Sequence, residues 1–205
     1  MEKSNRILNT IRDMFPNASC ELNYNNLFEL LVAVVLSAQT TDKRVNEVTK
    51  ILFQKYNSPI SLSQADYNEI YEIVRPLGLA KSKAQNIIQL SKVLNTKYND
   101  IVPNTREELE SLPGVGRKTA NAVLMEGFRI PAIAVDTHVS RVSFRLGLSK
   151  DDNVLKIEQD LMNLFPKDEW YFVHHGLLFF GRYFCTAKKP NCEICKLKDI
   201  CNYNK

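Results

Sequence analysis

The sequence predicts an all-α protein, because apolar residues recur at intervals of three and four positions and alternating strand patterns are scarce. Val45, Val48 and Leu52 illustrate this helical spacing. Hydrophobic residues make up 44% of the 205 residues, which is ample for a buried core. We therefore expect helices at residues 3–15, 25–39, 42–56, 63–75, 81–98, 105–111, 116–128, 137–146, 153–165 and 168–184.

The ends of several predicted helices carry capping and stop signals. Thr105 followed by Glu108 has the pattern of a capping box, and Asp42 is suited to cap the third helix. Gly78 marks the end of the fourth helix. The chain has no low-complexity linker and no internal repeat, so we expect packing to define its domains, with the segment FRIPAIAV as the crossing between them.

The charge of the chain permits binding to a polyanion but does not require it. The net charge is +4, and basic residues crowd the last 24 positions, opposed only by Glu193 and Asp199. Taken alone, this pattern indicates a solvated tail. Its basic residues are Arg182, Lys188, Lys189, Lys196, Lys198 and Lys205.

The N-terminal residues do not have the pattern of a signal peptide, because charges interrupt the apolar residues every two or three positions. The longest apolar stretch, residues 27–36, contains Glu29 and is too short to cross a bilayer. We therefore expect a cytoplasmic protein that does not associate with membranes.

The cysteines indicate a metal centre near the C-terminus. Cys20 stands apart and is suited to a buried, inert position. The other four are separated by six, two and five residues, and they are Cys185, Cys192, Cys195 and Cys201. Four thiolates in one loop favour a soft metal. Zinc and a [4Fe-4S] cluster both remain open, although only one short Cys-x-x-Cys knuckle is present and the longer loops suit a cube.

A metal centre in this segment could carry electrons or act as a staple for the loop, and for a small helical domain we expect the staple. Lys188 and Lys189 lie inside the six-residue gap between the first two cysteines. The staple would present both lysines as a rigid basic edge.

The segment LPGVGRKTA has the signature of a helix-hairpin-helix, a motif that binds the nucleic-acid backbone without reading sequence. Its glycines allow close approach and left-handed backbone angles, and the following helix can offer unpaired N–H groups to a phosphate. The candidate DNA contacts are Pro113, Gly114, Val115, Gly116, Arg117 and Thr119.

Lys118 falls in the first turn of the second hairpin helix, where the helix dipole disfavours its ammonium form. It is therefore a candidate nucleophile, or else another phosphate contact. Asp136 opens the helical pattern THVSRVSFRLG and is suited to an N-cap. A capping carboxylate can also stabilise a developing cation or move a proton.

Five segments together resemble the endonuclease III family of iron–sulfur helix-hairpin-helix DNA glycosylases. They are LLVAVVLSAQTTD, GLAKSKAQNI, LPGVGRKTANAVL, AVDTHVSRV and the four-cysteine tail, in this order and spacing. The resemblance implies two helical lobes with a DNA cleft between them. One is a six-helix domain over 20–130 with the hairpin at about 105–125, and the other is an iron–sulfur domain of 1–19 plus 131–205 with its cluster loop at 185–201.

The resemblance also implies the chemistry. Lys118 would attack the sugar C1′ of a damaged pyrimidine nucleotide extruded from the duplex, and Asp136 would assist departure of the base. The resulting imine would lose the 3′ phosphate by β-elimination. Gln39 and Leu79 would fill the space left in the duplex, and the residues near the base pocket would be Ser37, Glu110 and His138.

The implied cofactor is a [4Fe-4S] cluster held by the four cysteines of the tail. The implied partner is double-stranded DNA containing damaged bases or abasic sites, bound by a monomer. The segment WYFVHHGLLFFGRYFC departs from the family pattern at Gly176, Phe179 and Phe180, which concerns packing near the cluster more than the chemistry.

Three alternatives are compatible with parts of this pattern. The adenine-specific branch of the superfamily cleaves with water and lacks the hairpin lysine; here Lys118 is present, and Ala33 stands where that branch carries a glutamate. A thymine-mismatch glycosylase usually replaces the lysine too. A non-enzymatic DNA-binding or electron-transfer module would need neither Lys118 nor Asp136.

Overall fold

In a computed structural model, residues 2–204 are described, and they form helices and turns without any strand. The all-α prediction is confirmed. Met1 and Lys205, at the outer limits of the predicted iron–sulfur domain, lie outside the described residues. The helices are α1 (Glu2–Met14), α2 (Leu27–Leu36), α3 (Asp42–Lys55), α4 (Pro59–Ser63), α5 (Tyr67–Val74), α6 (Ala80–Tyr98), α7 (Arg106–Glu110), α8 (Arg117–Gly127), α9 (Thr137–Leu146), α10 (Val154–Leu164) and α11 (Trp170–Phe179).

The chain divides into two compact units, each with its own apolar core. The central unit is Glu21–Ile130 and contains α2 to α8. The terminal unit combines the residues up to Cys20 with those from Pro131 onward, so α1 packs in it with α9 to α11.

The core of the central unit is built around α2, whose sequence LFELLVAVVL is buried along nearly its whole length. Full burial of a leucine such as Leu30 or Leu31 contributes about 1.5–3 kcal/mol. The one charged residue of the helix, Glu29, is also buried, and its carboxylate accepts hydrogen bonds from the backbone N–H and side-chain amide of Asn25, at 2.7 and 2.9 Å. Asn26 caps the helix by accepting the N–H of Glu29.

The terminal unit is organised by α1, α9 and α11. Ile7 and Ile11 of α1 are fully buried, and α1 packs against α11, which packs in turn against α9. Arg6 forms a two-pronged ion pair with Asp199, at 2.7 and 2.8 Å, and thereby joins α1 to the C-terminal segment. Both partners are exposed, so the pair adds little to stability.

The predicted helix at 63–75 is present as α5 but begins later, at Tyr67, and a short helix that was not predicted, α4, precedes it. Ser58 caps α4, and Pro59 occupies its first turn. The second helix, α5, begins after Asp66, whose carboxylate accepts the N–H groups of Asn68 and Glu69. Both start signals are visible in the sequence, but the apolar spacing runs through them.

Two predicted caps differ in detail. Thr41, not Asp42, is the N-cap of α3, because its side chain accepts the N–H of Arg44. Thr105 caps α7 as expected, but the Glu108 carboxylate accepts the Thr105 hydroxyl at 2.6 Å instead of closing the box on the backbone.

The predicted helix at 168–184 is α-helical only over Trp170–Phe179 and continues as a π-helical turn at Phe180–Phe184. This turn ends at Cys185, whose N–H donates to the carbonyl of Phe180. Among residues 2–204, no helix combines the length and apolarity needed to span a membrane.

Candidate functional site

The hairpin in the central unit is a tight turn between α7 and α8. Leu112 and Val115 anchor it in the core, and the N–H of Val115 donates to the carbonyl of Leu112 at 3.1 Å. Gly114 has φ of 78°, and a Cβ at this position would lie 2.8 Å from the side-chain nitrogen of Asn86. This position therefore requires glycine on both conformational and steric grounds.

Gly116 does not need a left-handed backbone, contrary to the expectation for the hairpin glycines. Its φ is −101° and its ψ 179°, and nothing lies within 4 Å of a Cβ built on it. Gly116 is the N-cap of α8, and no side chain caps this helix. The open space in front of the first turn of α8 can thus admit a phosphate oxygen as the missing cap.

Lys118 is the second residue of α8, in the first turn after the hairpin, and its side chain is exposed. Within residues 2–204, its amine has no hydrogen-bond or ion-pair partner. Three of its neighbours in sequence are half-buried, namely Pro113, Arg117 and Thr119. The hairpin therefore offers an accessible amine beside a backbone suited to bind phosphate.

Gln39 and Leu79, the two predicted space-filling residues, share an unusual conformation. Their φ angles are 55° and 50°, in the left-handed region that non-glycine residues rarely adopt. Both side chains are exposed, Gln39 in the connection between α2 and α3 and Leu79 immediately before α6. Such strain costs about 1–3 kcal/mol per residue and concentrates at functional sites.

The other predicted pocket residues of the central unit have less specific surroundings. Ser37 is the C-cap of α2, and its hydroxyl donates to the carbonyl of Val34 at 2.8 Å. Glu110 is exposed at the last position of α7. Their roles in a base pocket stay predictions.

In the terminal unit, Asp136 is the N-cap of α9, as the sequence predicts. One oxygen, Oδ1, accepts the N–H groups of His138 and Val139 at 2.9 and 2.7 Å. The residue is half-buried. Because a single oxygen satisfies both N–H groups, the cap leaves Oδ2 available for chemistry.

Arg141 ties the first turn of α9 to the start of the cysteine loop. It donates to the carbonyls of Gly181, at 2.7 Å, and Cys185, at 3.2 Å, and lies 3.3 Å from Nδ1 of His138. Burial and the charge of Arg145 lower the pKa of Arg141, which nonetheless stays charged. His138, the third predicted pocket residue, is therefore oriented by an arginine.

The four cysteines of the tail line one cavity, of about 320 Å³ including its opening to solvent. Its remaining walls are mostly apolar and include Leu146, Phe180 and Phe184. No three His, Cys, Asp or Glu side chains in the described range converge on a single-ion position. Thiols spread around an apolar cavity fit the corners of an iron–sulfur cube.

The four cysteines are close enough to influence one another's ionisation. Burial raises the pKa of the Cys195 thiol, the backbone N–H of Leu197 lowers it, and the neighbouring thiols of Cys185, Cys201 and Cys192 add to the rise. A cluster that binds thiolates must therefore overcome the cost of burying their charge, and nearby positive groups reduce that cost.

Arg145 supplies such a positive group. It is buried, and one nitrogen of its guanidinium lies 3.4 Å from Sγ of Cys185. It also donates to the carbonyls of Thr186 and Ala187, at 2.9 and 3.1 Å, and stacks over the ring of Tyr203. The guanidinium thus holds the beginning of the loop in place and complements the charge of a thiolate.

Lys188 and Lys189 are exposed at the tip of this loop. The hydroxyl of Thr186 donates to the carbonyl of Lys189 at 2.7 Å and closes the turn that carries them. The loop therefore presents both amines from an ordered backbone.

Arg141 and Arg145 are the site residues that sequence reasoning missed. They lie four residues apart on α9, on a side that also carries the buried residues Val142 and Leu146. Charged residues at the edge of an apolar helix face are only a weak sequence signal for such polar contacts.

Comparison with known proteins identifies the family. Residues 32–167 match the HhH-GPD superfamily of base excision DNA repair proteins, and residues 185–201 match the iron–sulfur binding domain of endonuclease III. The chain is 52% identical over 195 residues to the endonuclease III of Bacillus subtilis (strain 168), which covers 95% of this chain and 89% of the relative.

The chain belongs to the endonuclease III family. It is 42% identical to the Escherichia coli (strain K12) endonuclease III over 99% of this chain and 97% of that one. A solved non-covalent endonuclease III–DNA complex matches it with a TM-score of 0.96 at 50% identity, covering 99% of this chain and 95% of that chain. A thermostable thymine-DNA glycosylase shares the fold. Its structure matches with a TM-score of 0.88 at 24% identity, covering 99% of this chain and 97% of that chain.

The cofactor of this endonuclease III family member is a [4Fe-4S] cluster. We expect Arg145→Gln to weaken its retention about tenfold, because residues that support metal ligands typically contribute that much. Iron content and visible absorbance during exposure to air measure the effect. Arg6→Gln is the matched control, because Arg6 donates to the carbonyl of Lys196 in the same loop from an exposed position.

The wild-type protein should be brown and contain iron. A colourless protein loaded with zinc would contradict the cluster, and equal cluster loss in the Arg145 and Arg6 variants would contradict the assigned role of Arg145.

Proposed function

We propose that this protein is a bifunctional DNA glycosylase and abasic-site lyase of base-excision repair. The observation that carries the proposal is the exposed, unpaired amine of Lys118 on the first turn of the hairpin helix. It occurs in a chain 50% identical, with a TM-score of 0.96, to an endonuclease III trapped as a covalent intermediate with DNA. A covalent intermediate requires a nucleophile, and the hairpin provides one.

In the proposed reaction, the neutral amine of Lys118 attacks C1′ of the damaged nucleotide. The bond between C1′ and the base nitrogen breaks, and the base leaves with the bonding electron pair and takes up a proton. Opening of the sugar ring gives an imine between Lys118 and C1′. Loss of a proton from C2′ then expels the 3′ phosphate by β-elimination, and water releases the lysine.

Asp136 is the proposed partner of this amine. Its Oδ1 is held by two backbone N–H groups, so the carboxylate is fixed in orientation while Oδ2 remains available. A fixed carboxylate stabilises the positive charge that develops at the sugar as the base leaves, and it can move a proton.

Access to C1′ requires the nucleotide to leave the base stack, at a cost of a few kcal/mol that damage to the base lowers. We assign Gln39 and Leu79 to the space that the nucleotide leaves, because both are exposed on strained loops. Ser37, Glu110 and His138 are the proposed pocket residues. The proposed substrates are oxidised or otherwise damaged pyrimidines in duplex DNA.

The four cysteines are the proposed ligands of the cluster, which when bound supplies a staple for the loop that carries Lys188 and Lys189. We also propose that the protein acts as a monomer and is DNA-associated. We propose that it is cytoplasmic, because its cysteines are free and thiols stay reduced in that compartment.

We expect borohydride to trap a covalent complex between the wild-type protein and duplex DNA with an abasic site, because borohydride reduces an imine to a stable amine. Lys118→Ala should abolish the complex, and denaturing gel electrophoresis detects it. Lys92→Ala, an exposed lysine in α6, is the matched control and should be trapped like the wild type. Absence of a wild-type adduct would contradict lyase activity and favour the hydrolytic or non-enzymatic alternatives.

Asp136→Asn should distinguish the role of Asp136 as a helix cap from its role in base excision. Asparagine caps helices as well as aspartate does, so the free energy of unfolding should change by only a few tenths of a kcal/mol, whereas Asp136→Ala should lose about 1 kcal/mol. Base excision should fall about 10²-fold or more in both variants.

Denaturant unfolding and single-turnover excision make this comparison. Asn153→Ala, which removes the cap of α10, is the control that loses stability without losing excision. Full excision by Asp136→Asn would leave Asp136 with a structural role alone.

Lys188→Ala and Lys189→Ala should each weaken binding to any duplex sequence, since a phosphate contact carries no sequence information. Each change should reduce the slope of log affinity against log salt by about 0.9. Lys150→Ala removes one charge from another exposed position of the terminal unit and should leave the slope unchanged. Equal slopes in the wild type and all three variants would show that Lys188 and Lys189 do not contact DNA and that the basic segment is only a solvated tail.

A further inference from the structure

Lys83 of α6 is buried in the central unit, with 3% of its surface exposed. Its Nζ donates to the backbone carbonyl of Leu77 at 3.0 Å. Burial lowers the pKa of this lysine. A buried amine is costly for a fold, so the contact that it makes merits a functional explanation.

The carbonyl of Leu77 begins a strained three-residue loop. Leu77 is buried, Gly78 has φ of 69°, and Leu79 has φ of 50° with 56% of its surface exposed. The side chain of Lys83 holds the beginning of this loop at the carbonyl of Leu77, and the first i→i−4 bond of α6, from the N–H of residue 83 to the carbonyl of Leu79 at 3.0 Å, fixes its end. The hydroxyl of Ser82 reinforces the second contact, also at 3.0 Å.

The hairpin rests on the next turn of the same helix. Asn86 lies three residues after Lys83, and its side chain occupies the space where Gly114 would carry a Cβ. Residues three apart share a helix face. One face of α6 thus supports both the loop of Leu79 and the hairpin that precedes Lys118.

We propose that Lys83 is a positioning residue that locks residues 77–79 so that Leu79 enters the duplex as a preformed wedge. The inference deepens the proposed function and rests on it, because the wedge matters only if a base is extruded. A loop free to leave its left-handed conformation would have to be ordered again at each insertion, and that ordering opposes extrusion.

The test compares Lys83→Met, which keeps the length and loses the donor, with Lys92→Met in the exposed part of α6. Hydrogen exchange reports whether the loop is held. The amides of residues 78 and 83, which donate to the carbonyls of Arg75 and Leu79 in the wild type, should exchange about tenfold faster in Lys83→Met and at the wild-type rate in Lys92→Met.

Excision is then measured on one damaged pyrimidine placed either in a fully paired duplex or in a single-nucleotide bulge, where no pairing opposes extrusion. For Lys83→Met, kcat/KM on the paired substrate should fall about tenfold relative to the bulge, since misplaced groups typically cost at least this much. Lys83→Gln keeps a hydrogen-bond donor and should recover part of the lost kcat/KM. If Lys83→Met does not fold, Lys83→Gln replaces it in the same comparison.

An equal fall on both substrates, or unchanged exchange and excision, would overturn the positioning role. If the wild type excises neither substrate, the proposed function fails, and exchange still decides whether Lys83 holds the loop.

Discussion

Unpaired N–H groups at the first turns of two helices are the constraint on which the hairpin of the central unit and the capped turn of the terminal unit both depend. Every helix begins with such groups, and each must find an acceptor. In α9 the acceptor is built in, because Asp136 accepts two of them with one oxygen. In α8 no side chain provides it, and Gly116 leaves the position open. The same requirement thus fixes a carboxylate in one unit and offers a phosphate site beside Lys118 in the other.

The terminal unit shows how a small helical fold can hold a basic loop without extending its apolar core. The loop has little regular structure, and two arginines of α9 satisfy its carbonyls. Arg141 also contacts His138 in the first turn that Asp136 caps. Replacing the buried Arg145 or the half-buried Arg141 leaves several acceptors unpaired at once, which costs about 1–3 kcal/mol for each buried one. The loop and the capped turn of α9 are therefore parts of one hydrogen-bonded network.

Much of the fold and the centre of the site could be predicted from sequence, because they depend on local patterns. Helical periodicity, the hairpin LPGVGRKTA and the cysteine spacing are of this kind. The short helix α4 was missed and α5 was started four residues too early, because apolar spacing continues across the gap between them. The left-handed backbone of Gln39 and Leu79 has no signal in residue type, since both residues normally avoid it. The burial of Lys83 arises from tertiary packing, and its sequence context resembles an ordinary helix surface.

The central claim is that the amine of Lys118 forms the covalent bond to DNA. The most direct measurement is mass spectrometry of peptides from the borohydride-reduced adduct with abasic-site DNA, which locates the residue that carries the sugar remnant. We predict that the modified residue is Lys118, in the peptide that follows the hairpin. Modification at Lys188, Lys189 or any other amine, with Lys118 unmodified, would contradict it.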